Sequence, residues 1–474
     1  MNRKGKIGLL TVVVLLLLSV GLWQFNAVKR IILPLRIADI TFFNIPENRL
    51  RFKVKVSTNR SSKAYIKYWV DRSKDTLYTA LSSDEKMKTV FITNTVAQTD
   101  YHFVVVGIVG TEEVESKVYN FTTRPIYQAM SYFDLAYSDP KFEKNLKDRF
   151  FLTQILTEPG SMVIIDHKGN IVWYQPFKKA TKVTHWTAEH TVMAILGAES
   201  VPSSGGDEII EVDLNGKTLF HVKVGKGQMD KMVHHEVRKD EKGNVYAITF
   251  DKKIFDLSSV GGVKRDTVHG DGIVLFSPAG KKIWEWSMLD HLNPLKDSLI
   301  LQRKKDWVHA NSVFKDKDGN FLISYRDLNQ VWKVQYPSGK VLWKFGEGGD
   351  FPLIKEESFA GQHAVHTLDN GLFVMLDNGL KRKISRGMAF KLDEKNHKAT
   401  SKFIVPLPKD YFSPAKGNIS ILDDQHLLFC LTEPRTFFIT DMKGKVVWDL
   451  KVGGDPYRLE EIKGFKMAKP AWHD

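Results

Sequence analysis

Five glycines frame most of this chain: Gly169, Gly216, Gly280, Gly339 and Gly444. Each closes a turn after a short apolar strand, as in Ile164-Ile-Asp-His-Lys-Gly, Val212-Asp-Leu-Asn-Gly and Ile439-Thr-Asp-Met-Lys-Gly. Four residues beyond each glycine stands a large aromatic: Trp173, Phe220, Trp284, Trp343 and Trp448. A degenerate copy lies between Met388 and Val405, where Asp393-Glu-Lys-Asn-His replaces the turn. The six hairpins recur at roughly 47 to 64 residues, and a repeat of that period means an array of like units. Three units carry a companion glycine turn: Lys239-Asp-Glu-Lys-Gly-Asn-Val, Lys315-Asp-Lys-Asp-Gly-Asn-Phe and Thr367-Leu-Asp-Asn-Gly-Leu-Phe. Two hairpins per unit make four strands, and six units closing into a ring make an all-β, six-bladed β-propeller. The glycines supply positive φ in the turns, and the repeated aromatics are expected between blades. No apolar stripe of period 3.6 persists here, which excludes a helical array.

The propeller is expected over residues 126–474, leaving two segments before it. Residues 31–125 alternate with period two in Leu50-Arg-Phe-Lys-Val-Lys-Val and Ala64-Tyr-Ile-Lys-Tyr-Trp-Val, and again from Asp100 and from Lys117. The pattern predicts a small β-sandwich of fibronectin III type with Tyr101 as its corner tyrosine. No ionisable cluster marks it as a site of chemistry. Residues 1–30 begin with Arg3, Lys4 and Lys6, followed by an apolar run from Ile7 to Phe25. That run spans roughly the ~30 Å of a bilayer core as a helix. It lacks the short core and small-residue exit of a cleaved signal. A transmembrane signal anchor is therefore expected, with the rest of the chain extracytoplasmic, in the periplasm, held to the inner membrane; cleavage would leave it secreted.

Composition narrows the chemistry. A single cysteine, Cys430, allows no intramolecular disulfide, cysteine zinc cage or iron–sulfur cluster, and none lies near the start for lipidation. The formal net charge of +14 favours anionic partners without choosing among them. Basic residues are spread along the chain with no aromatic-interleaved motif, so no nucleic-acid partner is expected. The loop Gly346-Glu-Gly-Gly349 lacks a following Lys-Ser/Thr and helix, so it is no phosphate cradle. Arg303-Lys-Lys-Asp could steer anions, but a solvated loop explains it better.

Propellers work where their inner strands begin, around the central channel. Eight residues before each companion glycine stand His235, Asn311 and His363, and Asn418 follows if His426 takes the glycine place. These are repeat-related points on one ring. His309 precedes Asn311 by two and shares its side of an extended segment. Arg326 comes off the strand Phe321-Leu-Ile-Ser-Tyr. Histidines, amides and an arginine from different blades converge in this reading on one site.

The motifs Asp306-Trp-Val-His-Ala-Asn-Ser312, Ser324-Tyr-Arg-Asp-Leu-Asn-Gln-Val-Trp332, Gly339-Lys-Val-Leu-Trp-Lys-Phe-Gly346, Gln362-His363 and Asp377-Asn378-Gly379 together resemble bacterial arylsulfate sulfotransferases. The resemblance implies transfer of a sulfuryl group from an aryl sulfate to a phenol, without a nucleotide donor, by a ping-pong route through a sulfohistidine. It implies His363 as nucleophile, the His309/Asn311 pair, Arg326, and an earlier histidine at His234 or His235, of which the ring alignment favours His235. His235, His309, Arg326 and His363 are the expected catalytic set; His234, Asn311, His366 and Asn418 are expected to contact substrate. His366 extends the Gln-His motif and is an alternative nucleophile. Partners are then a small aryl sulfate and a phenol, and a homodimer is left open. No metal or other cofactor is needed.

The chemistry stands without the resemblance. Sulfuryl transfer shares the loose, in-line character of phosphoryl transfer, so positioning and charge dominate. A neutral imidazole is a good nucleophile near neutral pH, and the planar fork of Arg326 matches two sulfuryl oxygens. Alternatives are an iron- or zinc-binding oxygenase propeller using the axial histidines, a quinoprotein suggested by Gly-Lys-Val-Leu-Trp, and a non-catalytic binding propeller.

Overall fold

The structure is a computed structural model that describes residues 33–470 apart from 72, 74, 127–131 and 203. The expected anchor over residues 7–25 lies outside the described residues. No helix among the described residues is long and apolar enough to cross a membrane. The chain divides into two compact units. One takes residues to 94, 98–124 and those from 466; the other takes 95–97 and 125–465.

The first unit contains seven antiparallel strands organised by one long strand, Asn48–Val70. Its first half pairs with Ile37–Ile45 and Glu85–Ile92, and its second with Leu77–Tyr78 and Asp100–Val109. The sequence reading treats Leu50–Val56 and Ala64–Val70 as separate strands. They join because residues 57–63 contain neither glycine nor proline to end extension. Phe52, Ile66, Tyr68, Val90 and Phe103 fill the core.

The second unit is the six-bladed propeller. Its inner strands are Glu460–Ile462, Ala180–Trp186, Val233–Lys239, Ala310–Lys315, His363–Thr367 and Asn418–Asp423, in blades one to six. Each touches the inner strands of both neighbours, which closes the ring. Two distant segments perform the closure. Glu460–Ile462 becomes the innermost strand of blade one by pairing with Phe150–Ile155, and Phe133–Ser138 becomes the outermost of blade six by pairing with Val446–Val452.

All five repeat glycines lie in the turn from the third strand to the fourth, with φ between +75° and +86°. In the degenerate fifth turn His397 takes the positive φ, at +48°. The four tryptophans occupy equivalent places on fourth strands, and each indole N–H reaches the corresponding turn of the next blade. Trp173 donates to the carbonyl of Leu214 at 2.8 Å, and Trp284 to that of Pro337 at 3.0 Å. Trp343 donates to Oε2 of Glu394 at 2.9 Å, and Trp448 to the carbonyl of His167 at 2.9 Å. The repeated aromatics therefore staple blades together, and buried apolar clusters fill the space between neighbouring sheets.

Candidate active site at the propeller axis

His235, Asn311, His363 and Asn418 stand at the start of successive inner strands, as the repeat requires. Pairing is irregular there: the register shifts between His234 and Val237, between Ala310 and Ser312, and between His363 and His366. Non-glycine residues take positive φ at the same level, at His235 (+60°), Val308 (+73°), His309 (+50°), Ala364 (+55°) and Lys416 (+61°). Such backbone costs of order 1–3 kcal/mol per residue and concentrates where side chains must be aimed against the pleat.

His363 is fully buried, and its environment sets its tautomer. Nδ1 lies 2.6 Å from Oδ1 of Asn378 and 3.1 Å from the carbonyl of Gly361. The Asn378 amide cannot turn around, because its Nδ2 donates to the carbonyls of Ser413 (2.8 Å) and Lys416 (3.1 Å). Both neighbours of Nδ1 are thus acceptors, so Nδ1 carries the proton and Nε2 keeps a bare lone pair. Burial first, then the cations Arg458 and Arg326 and the His309 ring, hold the pKa of His363 down to about 3 against the pull of Asn378. The imidazole is neutral throughout the physiological range.

The motif Asp377-Asn378-Gly379 exists to build this support. Oδ1 of Asp377 accepts the N–H groups of Ala360 and Gly379, each at 2.9 Å, and its other oxygen pairs with Arg386 at 2.6 Å. Gly379 has φ +70°, and a Cβ there would stand 1.8 Å from the carbonyl of Ile384. Only glycine permits the turn that presents Asn378.

His309 behaves in the opposite way. Burial disfavours its charge, but Oδ2 of Asp306, 2.7 Å from its Nδ1, outweighs that and raises its pKa above the ordinary value. Arg326 follows the same blade's second strand, its backbone N–H bonded to the carbonyl of His309 at 3.0 Å and its Nη1 to Asp327 at 2.7 Å. His235 is buried, with its ring edge-on to His309 at a centroid distance of 4.9 Å. Burial, and then His234, His309, His363 and Arg458, push its pKa well down. His234 touches His235 through Nδ1 at 2.6 Å and stacks on Phe250 at 4.0 Å.

Three of the residues expected to contact substrate make hydrogen bonds within the protein. Asn311 donates Nδ2 to the carbonyl of Gln362 at 2.7 Å, so it anchors the residue before His363. Asn418 spends both amide atoms on Leu459, at 2.8 and 2.9 Å, and clasps the closing segment to blade six. His366 bonds its own strand at the carbonyl of Ala364 (2.9 Å), and its pKa falls to about 4 through burial and the neighbouring Arg238 and Arg458. Its charged neighbours are Arg238, Arg458 and Glu460, whereas those of His363 include His309 and Arg326.

Arg458 escapes the sequence reading. It is buried beside the closing strand and donates to the carbonyls of Gly417 (3.0 Å) and Asn311 (3.1 Å) and to Glu236 (3.2 Å). One guanidinium thus joins segments of four blades. It follows the last tryptophan repeat, where no hairpin pattern marks it. Asn378 and Asp306, which hold His363 and His309, also escape that reading, although both sit inside the quoted motifs.

Among the described residues, the axial histidines form no group of three whose ligand atoms lie within 4.8 Å of one another. Among the described residues, the grouping of three ligand-type side chains is Asp316, Asp318 and Glu394. Lys333 fills its centre, with Nζ 2.9, 2.7 and 2.5 Å from the three carboxylates.

The fold and its axial residues define a six-bladed propeller with imidazoles and a guanidinium gathered at its axis. The Arylsulfotransferase (ASST) family model matches residues 136–437, and the chain belongs to that family. The protein is accordingly an aryl sulfotransferase in the general sense of the family. No curated protein matches the chain. Among solved structures, a Bacteroides caccae protein of unknown function is 13% identical, with TM-score 0.44, over 66% of this chain and 99% of its own. A catalytically inactive virginiamycin B lyase from Staphylococcus aureus with quinupristin is 10% identical, with TM-score 0.36, over 67% of this chain and 88% of its own.

Proposed function

We propose that the protein moves a sulfuryl group from an aryl sulfate to a phenol by a ping-pong route, with His363 as the nucleophile. The observation that carries this reading is the lock on His363: Asn378, itself fixed by two carbonyls, leaves Nε2 bare on a neutral, buried ring. Nε2 attacks sulfur, the S–O ester bond breaks, and the phenolate leaves. The sulfohistidine retains its Nδ1–H on Asn378, where the positive charge formed on the ring strengthens that hydrogen bond. Arg326 and charged His309 supply the cationic side, gripping sulfuryl oxygens as charge builds on them. A departing phenolate of pKa near ~10 also needs a proton, which an imidazole bordering the site provides. The entering phenol reverses each step.

Mass spectrometry after a rapid, acid-free quench of protein with aryl sulfate alone should find a sulfuryl adduct on His363. His363→Ala should lose both adduct and phenol release. An adduct on His366 or His235 would move the nucleophile; full activity without any adduct would end the ping-pong scheme.

We also propose an extracytoplasmic location on a membrane anchor, because residues 7–25 are apolar without a polar face and follow three basic residues. Detergent but not high salt should release the full-length protein from membranes, whereas release by salt would point to peripheral binding.

A further inference from the structure

His234 has no part in the scheme above, and neither does the carboxylate behind it. Asp271 is buried on the third strand of blade three. Its Oδ2 accepts the N–H of Ala310 at 2.7 Å, and its Oδ1 lies 3.2 Å from Nε2 of His234, a charge contact short of hydrogen-bond geometry to a buried nitrogen that makes no hydrogen bond. A carboxylate only accepts, so this contact favours a proton on the nitrogen that faces it. The opposite nitrogen, Nδ1, meets Nδ1 of His235 at 2.6 Å, and one proton must lie between them. Phe250, stacked at 4.0 Å, holds the plane of His234.

This contact permits two proton arrangements. In one, His234 is neutral, His235 donates from Nδ1, and Nε2 of His235 is bare. In the other, His234 is an imidazolium against Asp271, it donates to Nδ1 of His235, and Nε2 of His235 carries a proton. His235 stays neutral in both, as its burial among His309, His363 and Arg458 demands.

We infer that Asp271, His234 and His235 form the proton relay of the sulfuryl transfer, with His235 as the group that touches the phenolic oxygen. The inference rests on the sulfohistidine reading. In the first half-reaction the His235 Nε2–H bond breaks and an O–H bond forms on the departing phenolate. The His234 Nδ1–H bond breaks and a His235 Nδ1–H bond forms, leaving His234 neutral. In the second half the entering phenol gives its proton to Nε2 of His235, and the Nδ1 proton returns to His234. The cycle ends where it began, as microscopic reversibility requires. Asp271 and His234 act as positioning residues, and His309 acts as a cation beside the sulfuryl group.

Leaving-group dependence tests this on the full-length protein. A nitrophenolate of low pKa leaves without a proton, whereas phenolate does not. Asp271→Asn keeps an oxygen for the Ala310 N–H but removes the anion. It should still form adduct from 4-nitrophenyl sulfate, while adduct formation from phenyl sulfate falls by ~10² to 10⁴. His234→Gln should give the same selective loss, and His309→Asn should slow both donors alike. In the wild type, adduct formation from phenyl sulfate should depend quadratically on the deuterium fraction of the solvent, since two protons move together. A linear dependence, or a selective loss in His309→Asn with none in Asp271→Asn, would overturn the relay. Absence of adduct from either donor in the wild type would instead overturn the sulfohistidine reading itself.

Discussion

Opposite shifts of two histidines are the central feature at the residue scale. His363 is held neutral down to about 3, so its nucleophilic form persists across neutral pH. His309 is held charged above its ordinary range by Asp306. Adduct formation should therefore be flat on the acid side of neutrality and fall as pH rises through the raised value of His309. Asp306→Asn removes the support for that charge and should move the alkaline limb to lower pH, as a pH series of single-turnover rates will show. Asn378→Ala removes the acceptor of a charged N–H in the adduct, worth about 1.5–3 kcal/mol. Turnover should fall by roughly 10- to 150-fold with the fold intact. Repeat spacing and motif both point to His363, whereas His309 enters through its place two residues before Asn311 and through the motif. The sequence leaves His363 and His366, three residues apart, both open as nucleophile, because spacing along one strand does not say which charges other blades bring to each.

Elements explain the repeat. The glycine turn and the tryptophan four residues on are coupled across blades: each indole reaches the equivalent turn of its neighbour. Trp448 is fully buried and bonds the sixth blade to the first, whereas Trp284 is only half-buried. Trp448→Phe orphans a buried carbonyl and should cost about 1–3 kcal/mol, read as a lower urea midpoint. Trp284→Phe should cost less, because water can replace its bond. Equal losses would mean that the staples act by bulk alone. Strand spacing and the aromatic positions were legible, since both follow from local turn chemistry. The joining of two expected strands into Asn48–Val70 was not, because continuation there reflects pairing with partners on both sheets.

At the scale of the whole molecule, closing the ring and assembling the site are one event. The segment that supplies the inner strand of blade one also brings Arg458, which binds Gly417, Asn311 and Glu236. Arg458→Met should destabilise by about 3 kcal/mol, because it strips a buried carboxylate and two carbonyls of their donor. It should also raise the pKa of His363 by removing a positive neighbour, so activity is lost at higher pH on the acid side than in the wild type. A lower thermal midpoint with an unshifted acid limb would leave Arg458 a purely structural clasp. The sequence alone determined the class of fold, the number of blades and the ring on which His235, Asn311 and His363 fall, because turn residues and period are local properties. Only the tertiary structure decided what each ring position does. Asn418 occupies the same place as His363, yet its amide is consumed by Leu459, while Asp271, Asn378 and Arg458 reach the site from other strands. Charge, tautomer and access depend on neighbours brought together across blades, and no spacing along one strand encodes them.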